Sequence, residues 1–189
     1  PSTLSAQVSR MLADERGNTL GDIFAAQWLG FQQVGTRIWL DPIDNPWCTA
    51  SLMTAMRNES SLFFMSLLRE NQPIRRLIDA DYTYVNEELA TTLYGMDGVE
   101  GEHMRRVSID DPNRGGVLGQ ASILALTSNY KDTSPVKRGN YVLDTLLGTP
   151  PPPPPPNAGV LSEEVADMRG LSFREKLEMH STNETCRVC

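Results

Sequence analysis

A mainly α-helical fold is predicted by three observations. Apolar residues recur at helical spacing through most of the first 149 residues, Gly and Pro break that pattern at intervals, and strand character is limited to a short stretch at residues 105–109 and an ambiguous apolar run at 117–126. The expected architecture is an irregular helical bundle at 1–149, a polyproline linker at 150–156, and a short tail at 157–189 that ends in a Cys-x-x-Cys pair.

The elements follow in order. Leu4, Val8, Met11 and Leu12 share one face of a first helix, and Gly17-Asn18 breaks it. Thr19 followed by Asp22 resembles a capping box with Asp in place of Glu. It opens a second helix whose apolar face is Leu20, Ile23, Phe24, Trp28 and Phe31. Residues 34–46, with Trp39, Pro42 and Pro46, read as a loop across the helices. Leu52, Met56, Phe63 and Leu67, widened by Met53, Phe64 and Leu68, define a longer helix ended by Pro73. This Met and Phe stripe reads as core packing rather than a cofactor pocket. Residues 74–80 give one or two more turns. Val85, Leu89 and Leu93 mark another helix, stopped by Gly95. Gly115-Gly116 leads into an apolar run at 117–126, read as a buried helix although its length also suits a strand. Ser134-Pro135 starts a helix, because Ser accepts from a free amide and Pro fits the first helical position. That helix carries Val136, Val142, Leu143, Leu146 and Leu147 and closes at Gly148.

Seven prolines, 150–156, hold an extended rod of roughly 20 Å at about 3.1 Å per residue. A stiff spacer is favoured over a docking site for an aromatic groove, since a helix ends before the run and another module starts after it. Ser172 and Glu175 make a capping box for a helix through Met179.

Bulk properties exclude several functions. A net charge of -7 with dispersed Lys and Arg argues against a nucleic-acid partner. No apolar run approaches the ~20 residues of a membrane-spanning helix. There is no Gly-rich phosphate loop, no Gly-x-Ser-x-Gly elbow and no paired His motif of a zinc hydrolase. The chain begins at Pro1 and stops inside a motif, and is therefore expected to be a piece of a longer protein.

That motif is Cys186-Arg187-Val188-Cys189. Two thiols at this spacing can bond to the two vinyl groups of one haem, and a following His would supply an axial ligand. A local disulfide, half of a zinc site, or two unrelated surface thiols are the competing readings. His180, six residues before Cys186, is either a second haem ligand or a polar residue near a helix end. Met104, Met168 and Met179 are further thioether candidates that no spacing selects. Cys48 reads as a buried free thiol. Asp79, Asp81, Glu87 and Glu88 suit either acid–base work or the commoner role of complementing helix N-termini. The acceptor-like triplets at Asn58 and Asn183 are discounted as chance matches.

Several phrases recur together: residues 24–30, 62–71, 77–90 around Asp79-Ala80-Asp81-Tyr82, 114–122, 133–139, and 147–149 running into the prolines. In this order the chain resembles the conserved domains of uncharacterised function in large secreted cytochrome c-like proteins of planctomycetes and related bacteria. The resemblance suggests that one domain ends near residue 70 and the next begins there. It matches His180, Cys186 and Cys189 to the family's haem-attachment segment, whose final His would be residue 190. It therefore implies haem c as cofactor and an extracytoplasmic, periplasmic location, and it assigns no substrate.

The leading expectation is electron transfer through haem bound at Cys186 and Cys189, with partners in other domains of the same larger polypeptide and a redox partner protein. The alternatives are a non-catalytic scaffold or interaction module, and a haem-dependent oxidoreductase on a small or carbohydrate substrate. The last requires a cleft lined by Asp79, Asp81 and His103. No catalytic residue and no metal ligand outside the haem is assigned.

Overall fold

The structure, a computed structural model, describes residues 2–39, 43, 45–111, 113–129, 133–153, 172, 174–175 and 178. The chain divides into two units, Pro1–Pro150 and Pro151–Cys189. The described residues of the first are mainly helical, with one two-stranded sheet.

Helix α1 (Ser2–Ala13) buries none of its residues. Asp14 accepts from the Arg16 N–H at 3.0 Å and caps a 3-10 turn at Glu15–Asn18. A π-helical segment, Leu20–Ala25, then runs into α2 (Ala26–Trp28). The expected capping box does not form. The Thr19 hydroxyl donates to the Arg16 carbonyl, and Asp22 accepts from the Ser61 hydroxyl.

The inward face of this second helix is also not the expected one. Gly21, Ala25 and Ala26 are buried, whereas Ile23 and Phe24 are 53% and 54% exposed. The cause is close approach to the next helix. A Cβ on Gly21 would stand 2.6 Å from Ser61 Oγ and 2.8 Å from Met65 Cγ. Only small residues fit such a contact, so the bulky apolar side chains point away. Of the expected stripe only Phe31 is fully buried, in the 3-10 turn Phe31–Gln33 that follows Gly30.

Helix α3 (Ala50–Arg69) starts where Thr49 accepts from the Leu52 N–H, and its stripe of Leu52, Met53, Met56, Phe63, Phe64 and Leu67 is buried as expected. It ends before Pro73 is reached. Asn71 adopts φ 48°, the Gln72 N–H returns to the Leu67 carbonyl at 2.9 Å, and the Asn71 N–H returns to Leu68 at 3.2 Å. These two bonds form a Schellman-type stop. The two halves of α3 feed two apolar clusters. Its N-terminal half packs Leu52 and Met56 with Val34, Val85 and Leu89. Its C-terminal half packs Phe63, Phe64 and Leu67 with Leu29, Phe31, Leu77 and Tyr82.

After α4 (Arg76–Asp79), strand β1 (Tyr82–Val85) pairs antiparallel with β2 (Arg105–Ser108), in a register that sets Tyr82 against Ser108 and Val85 against Arg105. Val85 thus ends a strand instead of starting a helix, because Tyr-Thr-Tyr-Val is a strand-prone run with a face to bury. Asn86 then accepts from the Leu89 N–H at 3.0 Å and opens α5 (Glu87–Leu89). A π-helical segment, Ala90–Tyr94, continues it to Gly95 at φ 61°. The 117–126 run is helical: a 3-10 turn at Val117–Gly119 leads into α6 (Ala121–Leu126). Ser134 caps α7 (Pro135–Tyr141), which continues through Val142–Leu146.

In the second unit, residues 151–153 are exposed and neither helical nor strand. The Ser172 N–H donates to Glu175 Oε2 at 2.7 Å and the Glu175 N–H to Ser172 Oγ at 3.3 Å, the reciprocal pair of a capping box. Residues 154–156 of the proline run and Met179 lie outside the described residues.

Gly21 and Gly139 make opposite predictions. Gly21→Leu forces Ser61 and Met65 aside, and urea unfolding should register a loss of roughly 1–3 kcal/mol. Gly139 lies in α7 with nothing within 4 Å of an added Cβ, so Gly139→Ala should gain up to about 1 kcal/mol.

Candidate functional site

The apolar stripe of α3 carries one carboxyl. Glu59 lies three residues after Met56 and four before Phe63, on the same face and between the two apolar clusters, and it is 0% exposed. A carboxyl in such a place needs partners. The Thr83 hydroxyl on β1 donates to Oε1 at 2.6 Å, and the Tyr94 hydroxyl at the end of the π segment donates to the same oxygen. The backbone N–H of Ala121, first residue of α6, donates to Oε2 at 3.2 Å. One carboxyl therefore joins α3, β1, the Ala90–Tyr94 segment and α6.

A second polar pair continues the seam. Ser60 Oγ donates to Gln120 Oε1 at 2.7 Å and lies 2.6 Å from Ser122 Oγ. Gln120 Nε2 is buried with no hydrogen-bond partner among the described residues. On the outer side, the Arg114 guanidinium stacks 3.8 Å over the Tyr94 ring and donates to the Leu93 carbonyl at 3.0 Å.

Burial is the largest influence on the Glu59 carboxyl and pushes it up to about 7. The Thr83, Tyr94 and Ala121 donors and the Arg114 charge pull the other way. Burial and the charge of Glu59 push the Tyr94 hydroxyl up as well. Tyr94 and Arg114 also line a surface cleft of about 490 Å³ with Val107, Asp110 and Asp111. Glu59 can take up or release a proton near neutrality, with Tyr94 between it and the cleft. With Glu59 fully enclosed, the arrangement is a proton-sensitive tie and offers no room for a substrate at the carboxyl.

The other carboxylates anticipated from sequence serve as ties too. Asp81 pairs with Arg76, which holds its carboxyl below the usual range, and Asp79 lies 3.8 Å from both Arg75 and Arg76. Glu88 accepts from Thr49 at 2.5 Å and Ser51 at 2.8 Å, and Glu87 accepts from the Gly101 N–H at 2.7 Å. These two line a cleft of about 850 Å³ with Thr54, Asn58 and Glu102. Asp79, Asp81 and His103 line neither of these two clefts. Asp81 precedes the Tyr82–Ser108 end of the sheet, while exposed His103 precedes the Val85–Arg105 end. Those ends stand roughly 10 Å apart at about 3.4 Å per residue.

Cys48 is free and buried, as expected, and burial followed by the charge of Glu88 pushes its thiol up. Met104 is half-buried against the cluster of Val85 and Leu89. Cys186, Cys189, His180, Met168 and Met179 lie outside the described residues. Among the described residues no group of three or more His, Cys, Asp or Glu is arranged to hold a metal, and no helix is long and apolar enough to cross a membrane. Sequence reasoning missed the Glu59 tie. Its signal was present: a charged residue at the 3-and-4 spacing of an apolar stripe must be either a break in the stripe or a partnered buried group.

Residues 1–96 match the family described as PSD4, protein of unknown function (DUF1592). Residues 114–189 match the family described as PSCyt3, protein of unknown function (DUF1588). The matches leave their junction between 96 and 114, so the expected junction near residue 70 is corrected. The fold has no seam at 70, since Phe63 of α3 and Tyr82 of β1 pack in one cluster with ring centroids 5.5 Å apart. No curated protein and no solved structure matches the chain.

The raised carboxyl of Glu59 fixes a pH dependence. Its folded value of about 7 exceeds the ordinary 4.5, so the folded state holds the proton more tightly. The resulting stability is complete below 4.5 and is lost as pH rises through about 7, a fall of roughly 3 kcal/mol. Urea unfolding between pH 4.5 and 8 should show this decline, and Glu59→Gln should abolish that slope.

Proposed function

Because the chain belongs to the DUF1592 family of conserved domains of uncharacterised function, we propose its role from its own residues: electron transfer through a c-type haem carried at Cys186 and Cys189. The observation that carries this reading is the thiol pair, which falls in the stretch matching the family named PSCyt3. The donor chemistry fits the group. Two thiols at i and i+3 match the two vinyl groups of one haem, and the third cysteine, Cys48, is a buried thiol of the first unit.

In this reading Cys186 and Cys189 anchor the group covalently. His180 offers an imidazole to the iron of that haem or to a neighbouring one. Bound haem supplies one-electron chemistry at its iron. The prolines form a stiff spacer, and covalent attachment of this kind puts the protein outside the cytoplasm. Other domains of a longer polypeptide and a redox partner protein are the partners.

A second reading, a non-catalytic interaction module, is favoured by one specific observation. The first unit leaves Ile23, Phe24 and Trp28 exposed on one helix beside the uncovered apolar face of α1. Soluble monomers rarely leave a contiguous apolar patch of several hundred Å² without a use for it.

Protein purified from its native source, denatured and reduced in alkaline pyridine, should give a c-type haemochrome band. Mass spectrometry should locate the haem on the peptide holding Cys186 and Cys189. Replacing both cysteines with Ser should remove it. A haem-free peptide in native material would end the electron-transfer reading and leave the interaction module.

A further inference from the structure

We infer that the body at residues 1–96 carries a built socket, that its occupant is the opening segment of the next family match, residues 114–126, and that the Glu59 carboxyl is the catch between them. Haem at the tail plays no part in this. PSD4 matches 1–96 and PSCyt3 matches 114–189, yet their junction falls inside one compact unit, Pro1–Pro150.

Three features fit the segment to the body. The first is backbone approach. Gly116 adopts φ 54°, and its N–H donates to the Ala80 carbonyl at 2.9 Å. A Cβ there would stand 2.3 Å from the Ile78 carbonyl oxygen, so the segment enters where only glycine passes. The second is apolar burial. Val117 and Ile123 are 0% and 1% exposed, and both lie in the cluster of Phe31 and Phe63 from the body. Helix α6 has six residues, too few to hold alone, and takes its burial from the body. The third is the polar seam. The Ala121 N–H reaches Glu59 Oε2, Ser60 Oγ meets Gln120 and Ser122, and Arg114 donates to the Leu93 carbonyl. Every one of these bonds runs between the two matched stretches.

The catch responds to pH. The titratable and charged groups facing Glu59 are Tyr94 from the π segment and Arg114 from the incoming segment; β1 presents the Thr83 hydroxyl and α6 a backbone N–H. Burial, to which the docked segment contributes, outweighs these and favours the neutral acid. Release returns the carboxyl toward its ordinary 4.5, so the hold is complete below that value and is lost as pH rises through about 7.

The full chain with a protease site inserted between exposed Asp110 and Asp111 tests this, because cutting there leaves both matches whole. The cut protein is followed by sedimentation velocity from about 1 to 200 µM, in enough urea to bring dissociation into that range. Without urea the expected result is one particle near the intact 21.0 kDa, with unchanged circular dichroism. From pH 5.5 to 8 the dissociation constant should rise at least about tenfold, and in Glu59→Gln less than about threefold. At pH 5.5, Ser60→Ala should raise it at least about threefold and Gly116→Ala at least about tenfold. Ile74→Ala, 78% exposed, should leave it unchanged. Pieces that separate without urea at pH 5.5 overturn the inference, whether or not each stays folded. So does an affinity that neither Ser60→Ala nor Gly116→Ala alters. A pH dependence that survives Glu59→Gln overturns the carboxyl as the catch.

Discussion

The helical unit depends on one buried carboxyl. Glu59 stands on α3 between two apolar clusters, and its three donors come from three different elements: β1, the π segment after α5, and α6. Apolar packing is nearly indifferent to small rotations of one element against another, whereas a carboxyl that must satisfy its oxygens is not. With each oxygen aimed at named donors, α3 fixes where β1 and α6 sit. The arrangement sets two demands against each other. Burial favours the neutral acid, and the three donors favour the anion. The balance falls near neutral pH, so the tie is conditional on the proton.

The same helix shows how close packing selects residue size. Gly21 permits the Leu20–Ala25 segment to lie against Ser61 and Met65, and that contact turns the large apolar residues outward. The close approach that completes the core on one side therefore produces the uncovered aromatic surface on the other. The buried core and the exposed aromatic face share this single geometric cause.

Much of the architecture was legible in the residues. The α3 stripe, the Ser134-Pro135 start, the stop at Gly95 and the Ser172–Glu175 box rest on local rules that tertiary contacts did not override. What escaped had tertiary causes. Val85 fits a helical period with Leu89 and Leu93, yet β1 claims it because β2 supplies a pairing partner 20 residues later. Hydrophobicity alone assigned the wrong face to the Leu20–Trp28 helix, since it weighs side-chain size and ignores how near the neighbour comes. Glu59 was read within its Asn58-Glu59-Ser60 triplet instead of as a member of the stripe. The thiol pair is the reverse case: Cys186 and Cys189 lie outside the described residues, so their chemistry rests on spacing and family match.

If Glu59 is the tie that organises this unit, its interaction with Tyr94 must be cooperative. A double-mutant cycle of Glu59→Leu, which removes the acceptor, and Tyr94→Phe, read by urea unfolding at pH 6, measures that directly. The account predicts a coupling energy of roughly 1–3 kcal/mol, because removing either partner strands the other in the core. Two losses that add within about 0.3 kcal/mol would contradict it and return the organisation of the unit to apolar packing alone.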